Sequence, residues 1–302
     1  MALMASGTTA DIHPELRRIA RVLPRGGLHR WTLPVLKRLR FRPGSDDGVE
    51  ILTLPSGVGV RLYRPAGSGG GTPALLWIHG GGYVLGHAAQ DDALCRRYVE
   101  RLGIVVASVD YRLAPEHPYP QPLEDCYTTL TWLAGLPGVD ADRIAVGGLS
   151  AGGGLTAALA FLARDRGEVR PVLQLLSYPM LDDRSVDAAL DRPGGRIWNA
   201  RSNKIGWSAY LGDADPAVAV PARRNDLAGL PQAWLGVGTQ DLLHDEGLRY
   251  AERLTTAGVP CRVHLVQGAF HGFDQIATKS SVAQEYFDDQ CASLREAMGL
   301  VR

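Results

Sequence analysis

The sequence predicts an α/β protein with a doubly wound, mostly parallel sheet covered by helices on both faces. Short, almost wholly apolar runs recur along the chain, helix-patterned stretches alternate with them, and a glycine-rich strand-to-helix turn lies near the middle. Strands that are apolar on both sides belong in a parallel sheet between two layers of helix, because only there is neither face wetted.

The elements follow in order. Pro14 to Val22 and Trp31 to Leu39 have helix-like spacing with basic outer faces, and Arg42-Pro-Gly-Ser-Asp-Asp-Gly48 then breaks the chain with turn formers. Residues 1–45 therefore read as an added N-terminal segment on a domain spanning 46–302. Val49 to Leu54 and Val58 to Tyr63 flank Pro55-Ser-Gly57 as a β-hairpin. The parallel strands are expected at Ala74 to Ile78, Ile104 to Val109, Arg143 to Gly147, Val172 to Ser177, Ala233 to Val237 and Cys261 to Val266. Helices are expected at Asp91 to Leu102, Leu123 to Ala134, Gly152 to Arg164, Glu246 to Thr256 and Val282 to Met298. Leu181 to Asp215 breaks this rhythm: rich in Asp, Arg, Gly and Pro, it carries Trp198, Trp207 and Tyr210 and is too long for a simple connection. It reads as an inserted, partly helical cap.

Composition narrows the function. Thirty-two basic and 32 acidic residues cancel, which argues against a phosphate-tracking surface and so against nucleic acid as a partner. The four cysteines form no C-x-x-C pair, so free thiols are expected and not a zinc ribbon or a disulfide framework. The first ten residues lack the basic start and apolar run of a secretory signal, and runs such as Ile104 to Val109 fall far short of the ~20 residues that span a bilayer. A cytoplasmic protein with no membrane span is the expectation.

Gly148-Leu-Ser-Ala-Gly152 fits the G-x-S-x-G turn, in which a sharp strand-to-helix corner lifts a serine hydroxyl clear of the sheet. The pattern alone is weak, since a phosphate-binding turn would also use these glycines. Its setting strengthens it: the apolar run Arg143 to Gly147 precedes it and a small-residue helix follows. Ser150 is thus the candidate nucleophile. His79-Gly-Gly-Gly82 follows the strand ending at Ile78, where serial glycines can turn backbone N–H groups toward an oxyanion, each worth about 3 kcal/mol when well aimed. A flexible turn is the plainer reading of the same residues. The base should come last in the order Ser, Asp or Glu, His. His264 lies inside a strand and His244 beside the candidate acids, whereas His271 sits in a loop past the last strand. For the acid, Asp241 ends its strand at the same sheet edge, while Asp245 and Glu246 already belong to the next helix; a helix-capping role competes for Asp241 and Asp245.

Together, His79-Gly-Gly-Gly82, Asp110-Tyr-Arg-Leu-Ala-Pro-Glu-His-Pro-Tyr-Pro120, Gly148-Leu-Ser-Ala-Gly-Gly153, Asp241-Leu-Leu-His-Asp-Glu-Gly247 and His271-Gly-Phe273 resemble the hormone-sensitive-lipase-like carboxylesterases of bacterial family IV. The likeness runs from about residue 49 to residue 298. It implies the α/β-hydrolase fold with a helical cap, an oxyanion hole from the backbone of Gly81, Gly82 and Ala151, short to medium acyl chains, and neither cofactor nor metal. Relatives are often dimers, so a homodimer is implied too, although no seam in the sequence marks one. Leu149 before the serine and Leu242 after the acid depart from the family pattern, which bears on subfamily and loop packing. The stretch from Asp110 to Pro120 also reads as a proline-pinned loop whose Arg112 and Asp110 satisfy buried backbone or pair with each other.

The expected reaction is two-step acyl transfer on a small ester, with activity falling as acid protonates the histidine. Tyr83, Val84, Trp198, Trp207 and Phe270 are the candidates to line the substrate pocket. Three alternatives stay open: an amidase or deacetylase with the same triad, a hydrolase-like binding module without turnover, and an interaction surface built on Trp198, Trp207 and Tyr210.

Overall fold

A computed structural model describes residues 9–28, 33, 47–67 and 70–301. The helix expected from Trp31 to Leu39 lies outside the described residues, Leu33 apart. Eight strands form one sheet: β1 (Val49–Thr53), β2 (Gly59–Tyr63), β3 (Thr72–Ile78), β4 (Val105–Asp110), β5 (Val139–Leu149), β6 (Gln174–Ser177), β7 (Ala233–Gly238) and β8 (Cys261–Val266). Their spatial order is β1-β2-β4-β3-β5-β6-β7-β8. The hairpin pairs antiparallel, as does β2 with β4, and every later pairing is parallel.

Nine α-helical stretches accompany it among the described residues: α1 (Arg17–Ala20), α2 (Asp92–Leu102), α3 (Gln121–Ala134), α4 (Ala151–Arg166), α5 (Ala200–Leu211), α6 (Pro216–Ala219), α7 (His244–Thr256), α8 (Phe273–Ile276) and α9 (Ser281–Ala297). Strand alternation divides the core in two. Leu75 and Trp77 of β3 join one buried cluster with Tyr98 and Leu294, whereas Leu76 and Ile78 join the other with Leu130 and Leu155. Each such side chain withdrawn from water stabilises the fold by about 2 kcal/mol.

The structure corrects one expectation and refines two others. The last strand is not buried on both faces: Val263 and Leu265 of β8 are 41% and 39% exposed, because β8 is an edge strand. Of the two roles open to Arg112 and Asp110, satisfying backbone holds for Asp110, and the two do not pair with each other. Arg112 instead grips Asp125 of α3 through Nη2–Oδ1 (2.5 Å) and Nε–Oδ2 (2.9 Å), while Asp110 accepts from the Ala88 N–H. The helical excursion after β6 also runs past Asp215, whose carboxylate accepts from Ala217 N–H and starts α6 with Pro216 in its first turn. An aspartate followed by proline suits a helix start, the carboxylate capping the first free N–H and the proline fitting the first turn.

Residues 12–28 strap this excursion to the sheet. His13 N–H donates to Gly268 O (2.9 Å), Ile197 N–H to Pro24 O (2.9 Å), Leu28 N–H to Ser202 Oγ (3.0 Å) and Arg196 Nε to Ala20 O (2.7 Å).

Candidate active site

The site begins where β5 turns into α4. Ser150 holds φ 57° and ψ −119°, a left-handed conformation that costs an L-residue on the order of 1–3 kcal/mol and persists only where surroundings enforce it. Three backbone hydrogen bonds do so: Ser150 N–H to Ser177 O (2.9 Å), Met180 N–H to Ser150 O (2.9 Å) and Gly154 N–H to Ser150 O (3.0 Å). The corner is crowded enough to require glycine. A Cβ at Gly152 would lie 2.0 Å from Ile78 O, and one at Gly148 would lie 2.6 Å from the Gly152 carbonyl group.

His271 Nε2 lies 2.9 Å from Ser150 Oγ, and His271 Nδ1 lies 2.8 Å from Asp241 Oδ2. The carboxylate can only accept, so Nδ1 carries the proton and Nε2 is left to accept from the serine hydroxyl. Asp241 Oδ1 accepts from Leu243 N–H (3.0 Å), so one carboxylate both orients the imidazole and fixes the turn into α7. Ser150, Asp241 and His271 are 4%, 1% and 5% exposed, which keeps water from weakening these hydrogen bonds. The competing histidines lie elsewhere: His244 pairs with Asp245 and His264 with Asp289.

Glycine geometry shapes the loop beside the serine. Gly81 and Gly82 hold φ 126° and 60°, and a Cβ on Gly80 would come within 3.3 Å of Ser150 Cβ. The Gly80 carbonyl accepts from His79 Nδ1 (2.8 Å) and Gln90 Nε2 (3.4 Å), and the Gly81 carbonyl from Leu85 N–H (2.9 Å). In a planar trans peptide the N–H points opposite to its carbonyl, so fastening these two carbonyls sets the direction of the Gly81 and Gly82 N–H groups. Among the described residues, no hydrogen bond takes its proton from the N–H of Gly81, Gly82 or Ala151. Burial pushes the His79 imidazole down to about 4, so it stays neutral, stacked 4.2 Å from the Tyr111 ring.

The five pocket candidates separate. Trp198 lies against Gly82, where an added Cβ would come 2.3 Å from its Cη2, and its ring centre is 6.1 Å from that of His271. Tyr83 stacks on Tyr210 at 4.2 Å and tilts against Trp207 at 5.2 Å. All five are buried, Phe270 in one core cluster and Tyr83, Val84, Trp198 and Trp207 in the other. Trp198, Trp207 and Tyr210 are all buried, so they form no exposed patch. Sequence reasoning missed Asn203, whose Oδ1 accepts from Trp198 Nε1 (3.0 Å) and whose Nδ2 donates to Ser185 O (2.8 Å). An asparagine inside a helical pattern gives no sign of such a clamp.

Glu246 was also passed over. Its Oε1 accepts from Leu181 N–H (2.7 Å) and Asp182 N–H (3.2 Å), pinning the start of the inserted segment to α7. Burial pushes this carboxyl from its usual 4.5 up to about 8. Between those values the folded chain holds a proton that the unfolded chain has released, so raising the pH favours unfolding. Glu246→Gln keeps an oxygen acceptor and removes the titration. Melting curves are expected to show the variant gaining on the wild type from pH 5 to pH 8; a constant offset across that window would contradict this.

The family described as alpha/beta hydrolase fold matches residues 75–275. The chain belongs to that α/β-hydrolase family. This α/β-hydrolase is 36% identical over 297 residues to Esterase LipI of Mycobacterium tuberculosis, covering 87% of this chain and 93% of the relative. It is 35% identical to Carboxylesterase NlhH of the same species, covering 88% and 84%. Among solved structures, Bacterial Heroin Esterase superposes with a TM-score of 0.83 at 35% identity, covering 95% of this chain and 98% of that one. The hormone-sensitive-lipase-like resemblance and the fold expected from the sequence are both borne out. Among the described residues, no helix of this α/β-hydrolase is long and apolar enough to cross a membrane.

Proposed function

We propose that this α/β-hydrolase is a serine carboxylesterase acting on small esters through an acyl-enzyme on Ser150. The observation that carries the reading is the continuous relay from Ser150 Oγ through His271 to the buried Asp241. Ser150 Oγ attacks the ester carbonyl carbon as His271 Nε2 takes the hydroxyl proton. Charge gathering on the carbonyl oxygen is met by the N–H groups of Gly81, Gly82 and Ala151. The tetrahedral species collapses, the C–O bond to the alcohol breaks, and the proton on Nε2 passes to the departing oxygen. Water then repeats the attack on the acyl-enzyme, with His271 again taking its proton, and releases the acid and Ser150.

Residues 9–28 and the inserted segment act as the cap of this site, and Trp198 is the wall against which the substrate fits. Short to medium acyl chains suit a nucleophile only 4% exposed. Trp198→Ala should raise kcat/KM for an octanoate ester relative to an acetate ester about tenfold, within the range a few methylenes are worth in an apolar pocket. An unchanged ratio would move the acyl site away from Trp198. The exposed edge strand β8 supports a homodimer, which light scattering at several concentrations would test.

The reading is tested with p-nitrophenyl esters of increasing chain length beside the matching anilides. Turnover of the esters, far faster than of the anilides, is expected; a folded protein that cleaves only anilides is an amidase, and one that cleaves neither is a binding protein.

A further inference from the structure

We propose that Tyr178, held by Asp274, is a positioning residue that sets the His271 imidazole against Ser150; this rests on the esterase reading above. The relay needs two separate loops to meet, one carrying the nucleophile and one the base. Tyr178 touches the second, and its neighbours in the chain are bonded to the first. It follows β6 directly, and its flanking residues are bonded to the peptide groups of the nucleophile: Ser177 O accepts from Ser150 N–H (2.9 Å), and Met180 N–H donates to Ser150 O (2.9 Å). Tyr178 itself holds φ 35°, with its N–H donating to Gly236 O at 2.6 Å. A bulky residue keeps a left-handed backbone only where its surroundings over-determine it.

From that fixed backbone the side chain reaches the other loop. Its ring meets the His271 ring at 4.9 Å and 67°, an edge-to-face approach that limits how the imidazole can turn. Its hydroxyl donates to Asp274 Oδ1 (2.8 Å), three residues beyond His271 and in the first turn of α8. Asp274 Oδ2 accepts from Gln275 Nε2 (2.7 Å), so both carboxylate oxygens are engaged. Tyr178 is 1% exposed and Asp274 8%, which leaves the hydroxyl no water to exchange for its partner. The hydroxyl therefore ties the histidine loop to the serine loop, while Asp241 alone cannot prevent the imidazole from pivoting about its Nδ1 hydrogen bond.

Hydrolysis of p-nitrophenyl acetate by the wild type and by Ser150→Ala first establishes the esterase reading on its own. Tyr178→Phe then keeps the ring and loses the tie. It is expected to lower kcat about tenfold, the usual worth of one buried hydrogen bond, with KM within about twofold. Asp274→Ala should match it, the double variant should be no slower than either single one, and Asp274→Asn, which keeps an oxygen acceptor, should retain most of the activity. The downfield Nδ1–H proton resonance of His271 gives a readout that needs no turnover: broadened or shifted in Tyr178→Phe, preserved in Asp274→Asn. A Tyr178→Phe protein with wild-type kcat and an unmoved resonance would overturn the proposal. So would singles whose effects multiply in the double variant, or a loss confined to melting temperature.

Discussion

Ser150→Ala is expected to cut kcat for p-nitrophenyl acetate by about 10⁵-fold or more while leaving the fold intact. The hydroxyl is the only atom removed, and its partner is His271 Nε2 at 2.9 Å. The backbone that holds position 150 in its left-handed turn is bonded through main-chain groups of Ser177, Met180 and Gly154, none of which the substitution touches. Circular dichroism and the melting temperature should therefore match the wild type. Residual turnover within about tenfold of the wild type would mean that another nucleophile operates.

Asp241→Asn is expected to lower kcat by about 10⁴-fold with little change in KM. The asparagine oxygen can still accept from Leu243 N–H, so the turn into α7 survives. Its amide nitrogen then faces His271 Nδ1, a donor set against a donor. The imidazole must shift its proton to Nε2, and a protonated Nε2 cannot accept from Ser150. At 1% exposure the aspartate has no water to stand in for it. Steady-state kinetics over acetate and butyrate esters would check this; a loss in KM alone, with kcat retained, would make Asp241 a substrate-binding group.

The central strands were legible because Leu75, Leu76, Trp77 and Ile78 are apolar on both faces, and only a covered parallel sheet accommodates that. Strand β8 misled because Val263 and Leu265 look the same whether or not a neighbour covers them. The glycines of the two loops were legible for a different reason: a Cβ at Gly152 or Gly81 would strike backbone oxygen at 2.0 or 2.1 Å, so the sequence has no alternative there. Which side chains surround the triad was not legible to the same degree. Tyr83, Val84, Trp198, Trp207 and Phe270 are all buried, and it is Trp198, 73 residues before His271 in the chain, whose ring meets the imidazole, because nearness in sequence does not settle which way a side chain faces. Tyr178 and Asp274 meet across 96 residues, Glu246 reaches Leu181 across 65, and Asn203 bridges Trp198 and Ser185, 5 and 18 residues away, contacts that no local pattern encodes.

The most direct test of the central claim is covalent capture of the nucleophile. The protein is treated with diethyl p-nitrophenyl phosphate, and the adduct is located by intact mass and peptide mapping. One phosphoryl group per chain, on Ser150, with release of one p-nitrophenol and matching loss of esterase activity, is the predicted result, and Ser150→Ala should take up none. A fully inactivated chain whose label lies on another residue, or an active chain that takes up no label, would contradict the account.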